Sequence, residues 1–267
     1  IPGRLEENVI LETTNPNYRA SLLALPLQER IQLLYGRWRT IEDISKVLFE
    51  RAVVEDFFTN DFVRPTGNRY ITADIALEGR DRFVIVVWDG WVIVDIIQIP
   101  KSDGALVLEK LKNVARQWRV PSRNICFDAS GMGGYLRGFL KTAIPFFGGA
   151  QPMVEDFAQT YEQEGSEKPK YRNLRAQCYY VLARILGECD AYCQFNDANT
   201  VRDLKEELRA TTKAETGVDG KRNVVDKDAV KAILKRSPDL ADAVSMKVRF
   251  HLRPTVKKKP RTFKKIG

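Results

Sequence analysis

"RYITADIALEGRDRFVIVVWDGWVIVDIIQI", residues 69–99, is the stretch whose reading decides the fold. Three segments in it, "RYITADIAL" (69–77), "RFVIVVWD" (82–89) and "WVIVDIIQI" (91–99), are rich in β-branched and aromatic residues. The intervening "EGRD" and "DG" favour tight turns. Three consecutive strands joined this way form an antiparallel meander. One residue sits oddly in it. Asp74 lies among Ile71, Ala73, Ile75 and Leu77, and an acid in a central strand is costly to bury unless it is paired or holds a metal.

Towards the C-terminus, helices and strands alternate. "SDGALVLEKLKNVARQW" predicts a helix capped by Ser102 or Asp103, and "NICFDAS" a short buried strand ending at Asp128. "GMGGYLRGFLKTAI" starts with glycines and becomes helical, and "AQPMVED" is a short strand. The polar segment 156–170 reads as a mobile loop. "NLRAQCYYVLARILGE" and "VRDLKEELRA" are helices, and "TTKAETGVDGKRNVVD" is a hairpin turning at Asp219-Gly220. In "SPDLADAV" (237–244), Ser237 is the expected N-cap and Pro238 the first helical residue. Leu240, Ala243, Val244 and Val248 form its apolar face, with Asp239 and Asp242 at the edge. Towards the N-terminus, residues 1–60 have helical periodicity in "YRASLLALPLQERIQLLYGRW" and "TIEDISKVLFERAVV", followed by the polar joint "TNDFVRPTGN". Three antiparallel strands followed by alternating helices and strands is the layout of a ribonuclease H-like α/β fold, a mixed sheet with helices on both faces.

Composition narrows the chemistry. The chain has 267 residues, 44% of them hydrophobic, with four Trp and thirteen Phe, enough for a substantial core. No apolar run of about 18 residues is present, so no transmembrane helix is expected, and no signal-peptide pattern opens the chain. It begins Ile1-Pro2-Gly3, which reads as a piece of a longer or processed protein. Cys126, Cys178, Cys189 and Cys193 match no zinc spacing and read as reduced thiols of a cytosolic protein. His251 is the only histidine. Multi-His metal sites are excluded, and hydrolytic chemistry must lean on carboxylates.

Asp74 and Asp128 lie in strands that such a sheet places side by side, at the end where ligands of α/β sheets collect. The last helix would bring Asp239 and Asp242 to the same rim. Each acid has a structural alternative: a strand hydrogen bond for Asp74, a cap for Asp128, and the helix macrodipole for Asp239 and Asp242. Gathered together they would repel one another unless a cation intervened. Oxygen ligands suit Mg²⁺ or Mn²⁺, and two such ions about 3.5–4 Å apart serve phosphodiester hydrolysis.

The net charge of +8 is concentrated at one end. "RPTVKKKPRTFKKIG" holds seven basic residues and no acid, leaving roughly +1 on the rest. Residues 254–267, with Lys257, Lys258 and Lys259, form a basic arm suited to nucleic acid. Arg80, Arg82, Lys213, Lys221, Arg222 and Lys227 lie on turns near the expected rim, positioned to guide a DNA backbone or simply to solvate loops. Asp81 would assist from outside the ligand set. "SGMGG" (130–134) either admits a phosphate to a helix N-terminus or makes a tight turn.

Four segments carry a resemblance to a known family. "ENVILETTNPNYRASLLALPLQERIQLLYGRW", "YITADIALEGRDRF", "ICFDASGMGGYL" and "SPDLADAV" resemble, in order, the linker after the ATPase domain, two acidic motifs and the closing helix of the large terminase subunit of tailed bacteriophages. The resemblance implies a nuclease region, residues 61–253, between a helical linker (1–60) and the basic tail (254–267). It implies metal-dependent, largely sequence-independent cutting of concatemeric DNA at the start and end of head filling, with Asp74, Asp128 and Asp242 as metal ligands. Asp239 falls where relatives carry an acid or another polar residue. Double-stranded DNA, the small terminase subunit and the portal are the implied partners, and the host cytoplasm the implied location, with this piece a monomer. No Walker A loop is present, so no ATPase activity is expected. Two other readings share the sequence features: a junction resolvase or transposase-like enzyme of the same fold, and a non-catalytic packaging module that binds DNA. A restriction-type nuclease fits poorly, because Asp219-Gly220-Lys221 precedes Pro238-Asp239 instead of following it.

Overall fold

The computed structural model describes residues 45–76, 82–155, 170–215 and 219–253. The chain divides into two compact units, 1–47 and 48–267. Only residues 45–47 of the first are described, and the sheet and the site belong to the second. Most of the expected helical N-terminal segment, the turn with Arg80 and Asp81, most of the 156–170 loop, and the tail with Lys257, Lys258 and Lys259 lie outside the described residues.

The meander is present. β1 (Arg69–Asp74), β2 (Phe83–Asp89) and β3 (Val92–Ile99) pair antiparallel in sequence. Every residue of β2 is buried, as expected of a strand covered on both faces. The β2–β3 turn needs Gly90, at φ +63°. The Asp89 carboxylate beside it accepts the amides of Thr66 and Gly67 at 2.8 and 2.6 Å. β4 (Ile125–Asp128) lies parallel to β1, and β5 (Ile144–Phe146) parallel to β4. A second, two-stranded sheet pairs β6 (Val154–Glu155) with β8 (Leu252–Arg253). β7 (Tyr192–Cys193) completes the main sheet, whose order is β5-β4-β1-β2-β3-β7.

Strand alternation sorts the core into two layers. Ile71, Ala73, Phe83, Ile85, Val87, Ile125 and Phe127 face Val107, Leu111 and Val114 of α2 (Gly104–Gln117). Val84, Val86, Trp88 and Cys126 face the other layer, with α3 (Leu174–Gly187), α4 (Ala198–Ala210) and α6 (Asp239–Ser245). α1 (Arg51–Asp56) adds Val54 to this second layer. Helices therefore cover both faces of a mixed sheet, the ribonuclease H-like arrangement. Asp103, not Ser102, caps α2, accepting the Leu106 amide at 2.8 Å.

Four local expectations are corrected. The segment after β4 is a 3-10 helix, Gly131–Gly138; its glycines disfavour an α-helix, and a Cβ at Gly133 would stand 1.9 Å from the Asp128 carbonyl oxygen. With Gly131 at φ +57°, the tight-turn reading of "SGMGG" accounts for these glycines. Of the expected hairpin, the described residues show only isolated bridges, Lys213 with Val224 and Tyr171 with Arg222. Directly after it stands a helix that sequence reasoning missed, α5 (Lys227–Leu234). The closing helix starts one residue later than expected, with Pro238 as N-cap, and the Ser237 hydroxyl makes no hydrogen bond.

Candidate active site

Asp74 and Asp128 are the last residues of neighbouring parallel strands, in register through Ala73 and Phe127. Two-residue alternation puts Asp74 on the face of Thr72, whose hydroxyl accepts the Trp88 indole N–H at 3.0 Å. It puts Asp128 on the face of Cys126, in the same layer as α6. α6 runs across this end of the sheet with Asp239 and Asp242 one turn apart. Asp74, Asp128 and Asp242 line one cavity of about 290 Å³, together with Ser130, Phe146, Gly148, Gly149, Asn173, Arg175, Asp226 and Lys227.

The cation among these acids is Lys227, the first residue of α5. Its Nζ lies 3.2 Å from Asp74 Oδ2, 3.1 Å from Asp242 Oδ2 and 3.4 Å from Asp239 Oδ1. Lys227 was expected to guide a DNA backbone or to solvate a loop. The structure instead turns its ammonium into the acid group. Asp128 is held differently, its Oδ1 accepting the Ser130 amide at 2.9 Å. This is a bond to the amide two residues on and not the helix cap expected of Asp128: the N-cap of the following 3-10 helix is Ser130, and no side chain caps it.

Two further residues fix Asp242. Tyr179 donates its hydroxyl to Oδ1 at 2.7 Å, and Arg175 Nε approaches the same oxygen at 3.3 Å. Arg175 also donates Nη1 to the Val225 carbonyl at 3.0 Å and lies over the Tyr179 ring. Both were missed. Their spacing places them on one face of α3, but nothing local connects them to an acid 63 or more positions away.

Protonation follows from these contacts. Burial drives the Asp74 carboxyl well above the usual carboxylate range, opposed by Lys227 and reinforced by Asp242, Asp239 and Asp128. Burial also raises Asp128, against the pull of the Ser130 amide. Asp242 goes the other way: its burial is outweighed by Arg175, Lys227 and the Tyr179 hydroxyl, which keep it ionised. Burial lowers Lys227, but Asp74, Asp242 and Asp239 more than compensate and keep it charged.

Helix α6 is itself anchored. Glu207 of α4, fully buried, accepts the Ala241 amide at 3.0 Å. It also pairs with Arg82 at 3.1 Å and Arg236 at 3.8 Å. Arg82 binds Asp203 at 3.0 Å, and its own backbone amide donates to Asp239 Oδ2 at 2.8 Å. Arg82, expected at DNA, is therefore committed to the helices that carry the acids. Lys221 pairs with Asp219 at 2.9 Å, Arg222 lies over the Tyr180 ring, and Lys213 sits in its bridge with Val224.

Among the described residues no group of three or more His, Cys, Asp or Glu is arranged to hold a metal ion as it stands; an ammonium occupies the middle of this one. The donor set nevertheless suits a hard cation. It offers only carboxylate oxygens, and buried Asp239 Oδ1 accepts no hydrogen bond, leaving a lone-pair site on an oxygen whose nearest counter-charge is Lys227.

The chain matches no protein-family model and no curated protein. Solved structures do resemble it. The nuclease domain of the large terminase subunit gp2 of bacterial virus Sf6 is 22% identical, with a TM-score of 0.64, over 75% of this chain and 97% of that one. A lysine-to-alanine variant of gp2c from bacteriophage Sf6 with calcium is 20% identical, with a TM-score of 0.64, over 75% and 98% of the two chains. A variant of the Sf6 domain with manganese and beta-thujaplicinol is 21% identical, with a TM-score of 0.64, over 75% and 97%. The likeness establishes a shared fold.

Proposed function

We propose that this chain is a metal-dependent DNA endonuclease that cuts concatemeric viral DNA during genome packaging, by two-metal-ion phosphodiester hydrolysis. One observation carries the reading. Asp74, Asp128 and Asp242, from two strands and a helix far apart in sequence, line a single cavity. The shared fold with the Sf6 nuclease domain, solved with calcium and with manganese, supports it.

Asp74, Asp128 and Asp242 would hold Mg²⁺ or Mn²⁺, with Asp239 beside them. Bound as a pair, such ions supply an activated water and stabilise the leaving oxygen. The chain's own residues prepare the site. Lys227 offsets the mutual repulsion of the carboxylates. At 38% side-chain exposure it is the most exposed member of the group, and so the one able to swing away. Arg175 and Tyr179 keep Asp242 ionised and oriented. Residues 61–253 form the nuclease domain and 254–267 an arm on the DNA. In the complete motor the small terminase subunit and the portal are its partners, in the host cytoplasm.

The test is nicking of supercoiled plasmid. The chain should nick and linearise it with Mn²⁺ or Mg²⁺ and stop with EDTA. Asp74→Asn, Asp128→Asn and Asp242→Asn should each abolish cutting while circular dichroism stays native, and Asp239→Asn should cut more slowly. Cutting that persists in EDTA refutes the metal assignment. Wild-type cutting by one of the three removes that residue from the site, and no cutting by the wild type supports a non-catalytic DNA-binding module.

A further inference from the structure

Between Asp128 and Glu155 the chain carries no acid, only Arg137 and Lys141 as charges. Both cations are exposed. Two phenylalanines of this stretch are also exposed, Phe139 by 60% and Phe147 by 39%. The Arg137 guanidinium carbon lies 5.8 Å from the centre of the Phe147 ring, and Phe139 meets the Tyr135 ring edge-on at 6.4 Å.

Phe147 lies next to the candidate site. Its neighbour Phe146 pairs with Asp128 across β4 and β5, about 4.8 Å apart as adjacent strands are. Phe146, Gly148, Gly149 and Ser130 all line the acid cavity. Alternation turns Phe146 into the core and Phe147 outward, under Arg137. An aromatic ring flanked by a guanidinium, in an acid-free stretch at the rim of a carboxylate pocket, has a clear electrostatic sense. The pocket itself repels phosphates, and the stretch beside it supplies the cations that a strand leaving the pocket requires.

The ring adds a second requirement. Bases within a duplex present only their edges to a protein; a ring face is available for stacking only to a base that has left the stack. We propose that Phe147 and Arg137 form a stacking platform for an unpaired nucleobase of the strand running out of the acid cavity. The site then engages DNA that is open by at least one nucleotide next to the cut. The identity of this strand rests on the nuclease reading above, whereas the platform can be measured without cutting.

The probes are two DNAs of equal length, studied with the full chain in EDTA. One is a blunt duplex, and the other carries a single-stranded overhang with 2-aminopurine at its first unpaired position. Wild type should change the 2-aminopurine fluorescence on binding and prefer the overhang by about fivefold or more. Phe147→Ala should lose both the signal and the preference, with blunt-duplex affinity altered less than twofold. Phe147→Trp should retain them, and Phe147→Leu, which keeps the apolar bulk, should not. Equal affinities of wild type for the two DNAs, or a Leu variant as effective as wild type, would overturn the platform and favour a protein partner on this face. Plasmid nicking, read separately, keeps the two claims distinct. A chain that binds the overhang through Phe147 but never nicks retains the platform and loses the nuclease reading. A chain that nicks while Phe147→Ala binds as wild type does the reverse.

Discussion

Asp74, Asp239 and Asp242 share one ammonium, that of Lys227. Lys227→Met removes it and leaves the carboxylates facing one another. A fully buried pair broken this way loses about 3–5 kcal/mol; with Lys227 38% exposed, screening reduces the expected loss to about 1–2 kcal/mol. Urea melts in chelator should show this loss, and millimolar Mn²⁺ should raise the melting temperature of the variant more than that of wild type. An equal or smaller rise would mean that the ammonium and the metal do not compete. Lys247 is a second buried cation, away from the acids. Its side chain is 1% exposed, with Nζ 4.1 Å from the Tyr70 ring centre, 4.3 Å from that of Trp91, and 3.3 Å from His251 Nε2. Burial lowers its pKa from 10.5 to about 7, a shift the aromatic faces oppose in part. Between about pH 7 and 10 the unfolded chain therefore holds a proton that the folded chain has released. Stability from this group rises with pH across that window, by up to about 1.4 kcal/mol per unit, and is flat below it. Lys247→Met should be more stable than wild type at pH 7, with the gap narrowing by pH 9 and closing only above about pH 10. A gap independent of pH would show that Lys247 stays charged. Asp74 was legible because an acid inside a β-branched strand has no cheap local explanation. Lys227 was not, because its partners come from β1 and α6, and only the folded chain brings them together.

Helix α6 has seven residues, too short to be stable by propensity alone. Its position depends on what it is tied to. Glu207 on α4 accepts the Ala241 amide and pairs with Arg82 and Arg236. Burial raises the Glu207 carboxyl to about 8 despite these partners, so its contribution to stability is full below about pH 4.5 and is lost as pH rises through 8. Glu207→Ala leaves the buried Ala241 amide without its acceptor and takes one carboxylate from Arg82 and Arg236, which keep Asp203 and Glu206. The cost should be about 1–3 kcal/mol, and cutting should fall as Asp239 and Asp242 are displaced. Glu207→Gln keeps an acceptor for Ala241 and should lose less of both. Equal urea midpoints for wild type and the Ala variant would remove this anchor from the account. The long strands and helices were legible from period and composition. α5 was missed because its apolar pattern is brief, "KDAVKAIL", and follows a stretch that reads as a hairpin. β5 and β7, of three and two residues, carry too little pattern to identify alone; they are strands because β4 and β3 offer them an edge.

At the scale of the whole molecule, one end of a two-faced sheet gathers the acids while the charge of the chain is weighted to its tail. Deleting residues 254–267 removes six of the seven cations of the terminal basic run. For every phosphate that the shortened chain no longer neutralises, the slope of log affinity against log salt should fall by about 0.9 on duplex DNA, equally for unrelated sequences. An unchanged slope would leave the arm without a part in binding. The central order β3-β2-β1-β4 was legible, since three meander strands and a fourth laid beside the first leave few ways to build the sheet. The end of the sheet at which the acids meet was also legible, because Asp74 and Asp128 lie in strands expected side by side, at the end where ligands of α/β sheets collect. The supporting contacts of Arg175, Tyr179 and Glu207 were not, because they join helices through side chains with no shared local pattern. The central claim is that Asp74, Asp128 and Asp242 form a divalent-metal site. Its most direct test is an anomalous difference map from crystals soaked in Mn²⁺. The account predicts manganese peaks bounded by these three carboxylates, with the Lys227 ammonium withdrawn from among them. An empty cluster with Lys227 still in place, or manganese bound only elsewhere, would contradict it.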